Sequence, residues 1–194
     1  LVIKGEWVIM AKNNFPVVYY KTAMSQNVDS LNRVAVSETT VYNGSLVTLG
    51  TMGTGAAQGM GYVFPATLTS VTNGNVNDVW MVRGPEVSKE VCGNLYDDPR
   101  EFSIPAGTPF DIIRLMPGDI IHVSETTFGN NTKPSFTNKY GYAGANGEWQ
   151  AASTATAVTG FVAQYQGTEA IVIGQDYLPA HILEVVKNPE ATIS

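Results

Sequence analysis

Few residues in this chain have side chains suited to covalent chemistry. The histidines are His122 and His181, the one cysteine is Cys92, and the 17 acidic residues are scattered. A hydrolytic triad needs a nucleophile, an imidazole base and a carboxylate that orients the base. Neither histidine lies near Cys92, and no Gly-x-Ser-x-Gly elbow is present. His122 alternates with Ile121 and Val123 on an expected strand, so it should face solvent or a subunit contact. His181, following Pro179-Ala180 at a strand start, reads the same way. Zinc takes about four N or S ligands, and two histidines and one cysteine at wide spacing do not supply them. A carboxylate pair for glycoside hydrolysis is available in number, but no spacing singles one out. Asn73-Gly74-Asn75-Val76-Asn77-Asp78 faintly resembles a calcium loop, without its alternating Asp start or closing Glu. The expectation is a non-enzyme with no metal and no cofactor.

Binding chemistry is better represented. Tyr140, Tyr142 and Trp149 cluster around Gly141, Gly144 and Gly147. Such a group can be a sugar-binding platform, an assembly interface, or the packed tip of a hairpin, because Tyr and Trp bury large area while keeping a polar tip. At the amino terminus Val2, Ile3, Trp7, Val8 and Ile9 are too apolar to be left in water. They read as an ordered arm that pairs or docks on a partner. Leu1 is not Met, whereas Met10-Ala11-Lys12 would make an ordinary start, so residues 1–9 are a leader, a processed remnant or an added segment. Asn43-Gly44-Ser45 and Asn130-Asn131-Thr132 match the glycosylation triplet but, without a secretion signal, read as turns.

Composition narrows the partners. Charged residues make up 14% of the 194, well below the ~25% of an average domain. Net charge is −6, and Lys and Arg occur singly. Nucleic acid and anionic membrane surfaces both require clustered basic residues, so neither is expected as a partner. No apolar run approaches the ~20 residues that span a bilayer. A single cysteine excludes an internal disulfide.

The elements that must position these residues are strands. Val34 to Leu49 reads as a hairpin around Asn43-Gly44, whose type I′ turn would need positive φ at both central residues. Ile104 to Val123 reads as a second strand pair around Pro117-Gly118-Asp119. Further strands are expected at 61–70, 77–82, 161–165, 170–174 and 180–187, a strand or an extended arm segment at 16–20, and a short helix at 86–96. Gly50 to Gly61 reads as a flexible or close-approach loop, and Ser124 to Gly147 as a long polar loop or extended hairpin. The expected organisation is an arm and lead-in over 1–32, a β-barrel or sandwich domain over 33–187, and a tail over 188–194.

The order of motifs resembles that of head decoration proteins of tailed bacteriophages of low-GC Gram-positive hosts. It runs from Asn43-Gly44-Ser45-Leu46-Val47 through Leu49-Gly50 and the strand closing on Gly84-Pro85-Glu86-Val87. Ile104-Pro105-Ala106-Gly107, Arg114-Leu115 and Gly118 to Ser124 complete it. The resemblance covers roughly residues 33–123. It implies a non-enzymatic β domain on the capsid exterior that cements neighbouring major capsid subunits, as a homo-oligomer with a trimer favoured. An arm lying on the capsid lattice, as the resemblance implies, would suit residues 1–9. Residues 124–147 depart from the pattern. A tail-tube or baseplate subunit and a carbohydrate-binding adhesin module are the competing readings.

Overall fold

The computed structural model describes residues 15–70, 75–84, 100, 102–154, 159–173 and 176–190. The chain is mainly β, with 44% strand, and among the described residues no helix has seven or more residues. Strands are numbered in chain order. A six-stranded antiparallel sheet contains β1 (Val18–Thr22), β9 (Ile120–Ser124), β10 (Tyr140–Ala143), β11 (Trp149–Ala152), β12 (Val162–Thr168) and β15 (Ala180–Lys187). Its order is β1-β9-β15-β12-β10-β11. A closed barrel is formed by β2 (Asn32–Ser37), β4 (Leu46–Leu49), β5 (Phe64–Leu68), β6 (Trp80–Arg83) and β8 (Phe110–Arg114), in the order β2-β5-β4-β6-β8. Two short ladders pair β3 (Val41–Tyr42) with β7 (Ser103–Ile104), and β13 (Ile171–Ile173) with β14 (Asp176–Leu178).

The barrel wall made by β4, β6 and β8 is buried on both faces along Leu46-Val47, Trp80-Met81-Val82 and Ile112-Ile113. Leu46 lies opposite Met81, and Met81 opposite Ile113, forming a row that packs against Ile121, Val123, Trp149, Phe161 and Leu183 of the other core. The alternate residues Val47, Trp80, Val82 and Ile112 fill the barrel interior with Ala35, Ala66 and Phe110. Side chains alternate across a strand, so a wall wet on neither side must be apolar at every position. Trp80-Met81-Val82 and Ile112-Ile113 are therefore continuous apolar runs.

The two glycine turns form, but neither closes a hairpin. Tyr42 O accepts a 3.0 Å bond from Ser45 N, and Gly44 has φ +80°. Asn43 is not among the residues of positive φ, so the turn has the type II pattern and not type I′. The physical reason is topological: β2 bonds to β5 and β8, while β4 bonds to β5 and β6. The turn joins a two-stranded ladder to a barrel strand instead of folding a strand back on its neighbour. At the second turn Asp119 N bonds Met116 O at 3.0 Å, and Gly118 has φ +95°, as Pro-Gly at the centre requires. It links β8 of the barrel to β9 of the sheet, so it is a joint between layers.

The stretch 124–147 contains a 3-10 turn at Glu125–Phe128 and then β10, which forms a true hairpin with β11. The free edge of β11 is covered: Ala151 N donates to Thr132 O at 3.0 Å, and Asn131 Nδ2 to Trp149 O at 3.2 Å. At the other margin β1, grouped with the arm by sequence, pairs with β9 and carries a bulge between Tyr20 and Thr22. Asn188, grouped with the tail, is buried. Its amide donates to Val79 O (2.8 Å) and Leu115 O (3.0 Å) and accepts from Val79 N (3.1 Å), tying the end of β15 to the barrel. The expected helix at 86–96 lies outside the described residues.

Candidate functional site

The aromatic trio splits across the two faces of the β10–β11 hairpin. Trp149 sits opposite Ala143, whereas Tyr142 sits opposite Gln150 and Tyr140 opposite Ala152. Trp149 is fully buried, with Phe161 at 5.5 Å and Phe128 at 6.4 Å between ring centroids. Its indole Nε1–H donates to Gly44 O at 3.1 Å. It is thus a core residue holding the first glycine turn against the sheet, and the packed reading replaces the exposed platform for this side chain. Tyr140 and Tyr142 lie on the opposite face with Val162 and Ala152. Burial raises the Tyr142 phenol above its usual value. Val2, Ile3, Trp7, Val8 and Ile9 lie outside the described residues.

Both histidines are buried, so of the two expected settings the solvent-facing one does not hold. Their strands β9 and β15 are interior in the six-stranded sheet. His122 Nδ1 lies 3.6 Å from Glu169 Oε2. His181 points into the main core, edge-on to Phe128 at 5.5 Å and near Tyr165 at 5.8 Å. Its Nε2 is 3.9 Å from Glu125 Oε1, and neither ring nitrogen has a hydrogen-bond partner. Burial lowers the His181 pKa from 6.5; the Glu125 carboxylate opposes that shift and Lys133 reinforces it. Lys133 Nζ in turn pairs with Glu125 Oε2 at 2.7 Å. An imidazole held neutral without a bonded hydroxyl or thiol is not set up as a base for a nucleophile. Among the described residues, no group of three or more His, Cys, Asp or Glu is gathered that could hold a metal ion.

Two surface features stand out. A hollow of about 660 Å³ opens beside the barrel, lined by Val34, Phe102, Ile104, Pro109 and Phe110. Arg83 and Asp111, opposite each other on β6 and β8, stand at its side. The second feature is the β4–β5 connection. Gly50 N bonds Pro65 O at 2.9 Å and Gly53 N bonds Val63 O at 3.0 Å, so the two stems of the loop are tied together. Within it, Gly53, Gly55, Gly59 and Gly61 all have positive φ. The stretch read in sequence as a flexible or close-approach loop thus has a hydrogen-bonded backbone that is left-handed at these four glycines. Among the described residues no helix is long and apolar enough to cross a membrane. Comparison with protein-family models, with curated proteins and with solved structures finds no match to this chain.

Proposed function

We propose that this chain is a structural virion protein that binds a phage capsid lattice from outside and stabilises it by bridging major capsid subunits. One observation carries the reading. Two of the motifs behind the resemblance, Asn43-Gly44-Ser45 and the strand closing on Gly84, are bonded to each other. Gly44 N bonds Val82 O and Val82 N bonds Ser45 O, each at 2.8 Å, while Gly84 N bonds Asn43 Oδ1 at 3.0 Å. Val41 pairs with Ile104, and Gly118 N bonds Val185 O at 2.8 Å. Bonds that join motifs 41 residues apart are what supports the reading. Work of this kind is thermodynamic and needs no catalytic residue. A ligand that binds only the assembled state stabilises it by about 2.7 kcal/mol per site at a hundredfold excess over Kd.

The test is to add the purified full chain to capsids lacking it and to follow co-sedimentation and heat-induced rupture. The expected result is saturable binding and a higher rupture temperature. Binding to a glycan array with no affinity for particles would point instead to the adhesin reading, and binding to tail tubes alone to the tail reading.

A further inference from the structure

His181 is only 5% exposed, yet both of its ring nitrogens are without a hydrogen-bond partner. Buried polar groups are bonded as a rule, so an exception asks for a reason. The surroundings of the ring supply one. Val123 of β9 and Thr168 of β12 stand opposite His181, and Phe128 and Tyr165 make ring contacts with it. Two charged groups act on it, Glu125 of the 3-10 turn after β9 and Lys133 of the segment beyond that turn. His122, one position from Val123 on β9, lies on the other face of the sheet and meets Glu169.

Glu125 stands between the imidazole and the ammonium. Its Oε1 is 3.9 Å from His181 Nε2, and its Oε2 is 2.7 Å from Lys133 Nζ. Glu125 N is tied to Pro179 O at 3.1 Å, whereas the side chain is partly in solvent. The carboxylate can therefore turn while the backbone stays in place. With His181 neutral, 3.9 Å is too long for a hydrogen bond, and Lys133 holds the carboxylate. A proton on Nε2 makes the ring a charged donor about an ångström short of bonding range.

Linkage gives the direction of the effect on Lys133. Lys133 disfavours a proton on His181. By reciprocity, a proton on His181 disfavours Lys133 at its place beside Glu125, by the same free energy. Lys133 adjoins Thr132, whose carbonyl accepts the Ala151 N–H at the edge of β11 (3.0 Å). We propose that His181, Glu125 and Lys133 form a proton-operated clasp: the protonated imidazole takes Glu125 Oε1, Lys133 is let go, and the cover over the β11 edge loosens. Burial holds the folded pKa of His181 below 6.5, so the clasp opens only as the pH falls below that value. Asn131 keeps its bonds to Glu148 Oε2 (3.0 Å) and Trp149 O (3.2 Å), so the edge is loosened and not stripped.

Amide hydrogen exchange of the full-length protein, followed by NMR at pH 7.5 and 5.0, tests the clasp. Protection of the Ala151 amide, corrected for the intrinsic pH dependence of exchange, is compared with that of Val82 in the barrel, whose N–H bonds Ser45 O. In wild type the ratio of Ala151 to Val82 protection should fall about two- to fivefold on acidification, the scale of losing an exposed ion pair. A global loss of stability lowers Val82 at least as much as Ala151, so it does not produce that fall. In H181F the ratio should not change with pH, and in K133M it should be low at both pH values. The His181 ring signals give a second readout that does not depend on H181F folding: its titration should move up in K133M and down in E125Q. A wild-type ratio that ignores pH, an equal fall in H181F, or a His181 titration unmoved in K133M and E125Q would each overturn the proposal.

Discussion

His181 is an imidazole kept neutral by where it lies. Its pKa in the folded protein is below the ordinary 6.5 because burial outweighs the attraction of Glu125. The unfolded chain takes up a proton near 6.5 while the folded chain resists it, so stability falls as pH drops through 6.5 and levels off below the folded pKa. His181→Phe keeps an aromatic ring against Phe128 and removes the titration. In urea unfolding at pH 7.5 and 5.5, wild type should lose more stability on acidification than the Phe variant; equal losses would refute the assignment. Trp149 makes a second case. Trp149→Ala should cost about 3–5 kcal/mol. Trp149→Phe should cost less, on the order of 1–3 kcal/mol for the carbonyl of Gly44 left without its donor. Denaturant midpoints of the two variants give both numbers. The presence of a Trp in the hairpin was legible in the sequence, but its side was not. The turn between β10 and β11 sets the register so that Ala143 opposes Trp149, which places odd-numbered residues together on the core face. That parity depends on Asn146 and Gly147 both adopting positive φ, which composition alone does not fix.

Turns are where local chemistry speaks most clearly and non-local chemistry decides the outcome. Pro117-Gly118 and Asn43-Gly44 each fold as turns with glycine in the left-handed position, and that much is written in the residues. Which strands then pair depends on contacts many residues away, so the hairpin expected at 34–49 dissolves into β2, β3 and β4 of different neighbours. The central strands were readable for the opposite reason: a wall buried on both sides has no polar alternation to confuse it. Short β14 and the latch at Asn188 carry no such signature, since a polar residue near a chain end looks the same whether solvated or bonded. Gly44 is the sharpest element-level test. A Cβ there would collide with Val18 Cγ2 of β1, on a backbone with φ +80°. Gly44→Val combines left-handed strain with overpacking, about 2–5 kcal/mol together. An unchanged melting temperature would mean that the turn is not held against the sheet as described.

At the scale of the whole molecule, the shared wall joins barrel and sheet into one cooperative unit. Leu46, Met81 and Ile113 belong to the core under the sheet, and their sequence neighbours belong to the core of the barrel. Neither layer can lose its packing without stripping one face from the other. Unfolding followed by tryptophan fluorescence and by far-ultraviolet circular dichroism should therefore give coincident transitions; two separated midpoints would show that the layers melt independently. The closure of the barrel has a further consequence, for behaviour at high concentration. An open sheet margin presents unpaired N–H and C=O groups to which a second chain can add, and crowded β proteins aggregate by that route. Here the barrel has no margin, the β11 side is occupied by Asn131 and Thr132, and the β1 side is broken by a bulge. Strand-by-strand addition at the barrel and at either margin of the six-stranded sheet is thereby hindered.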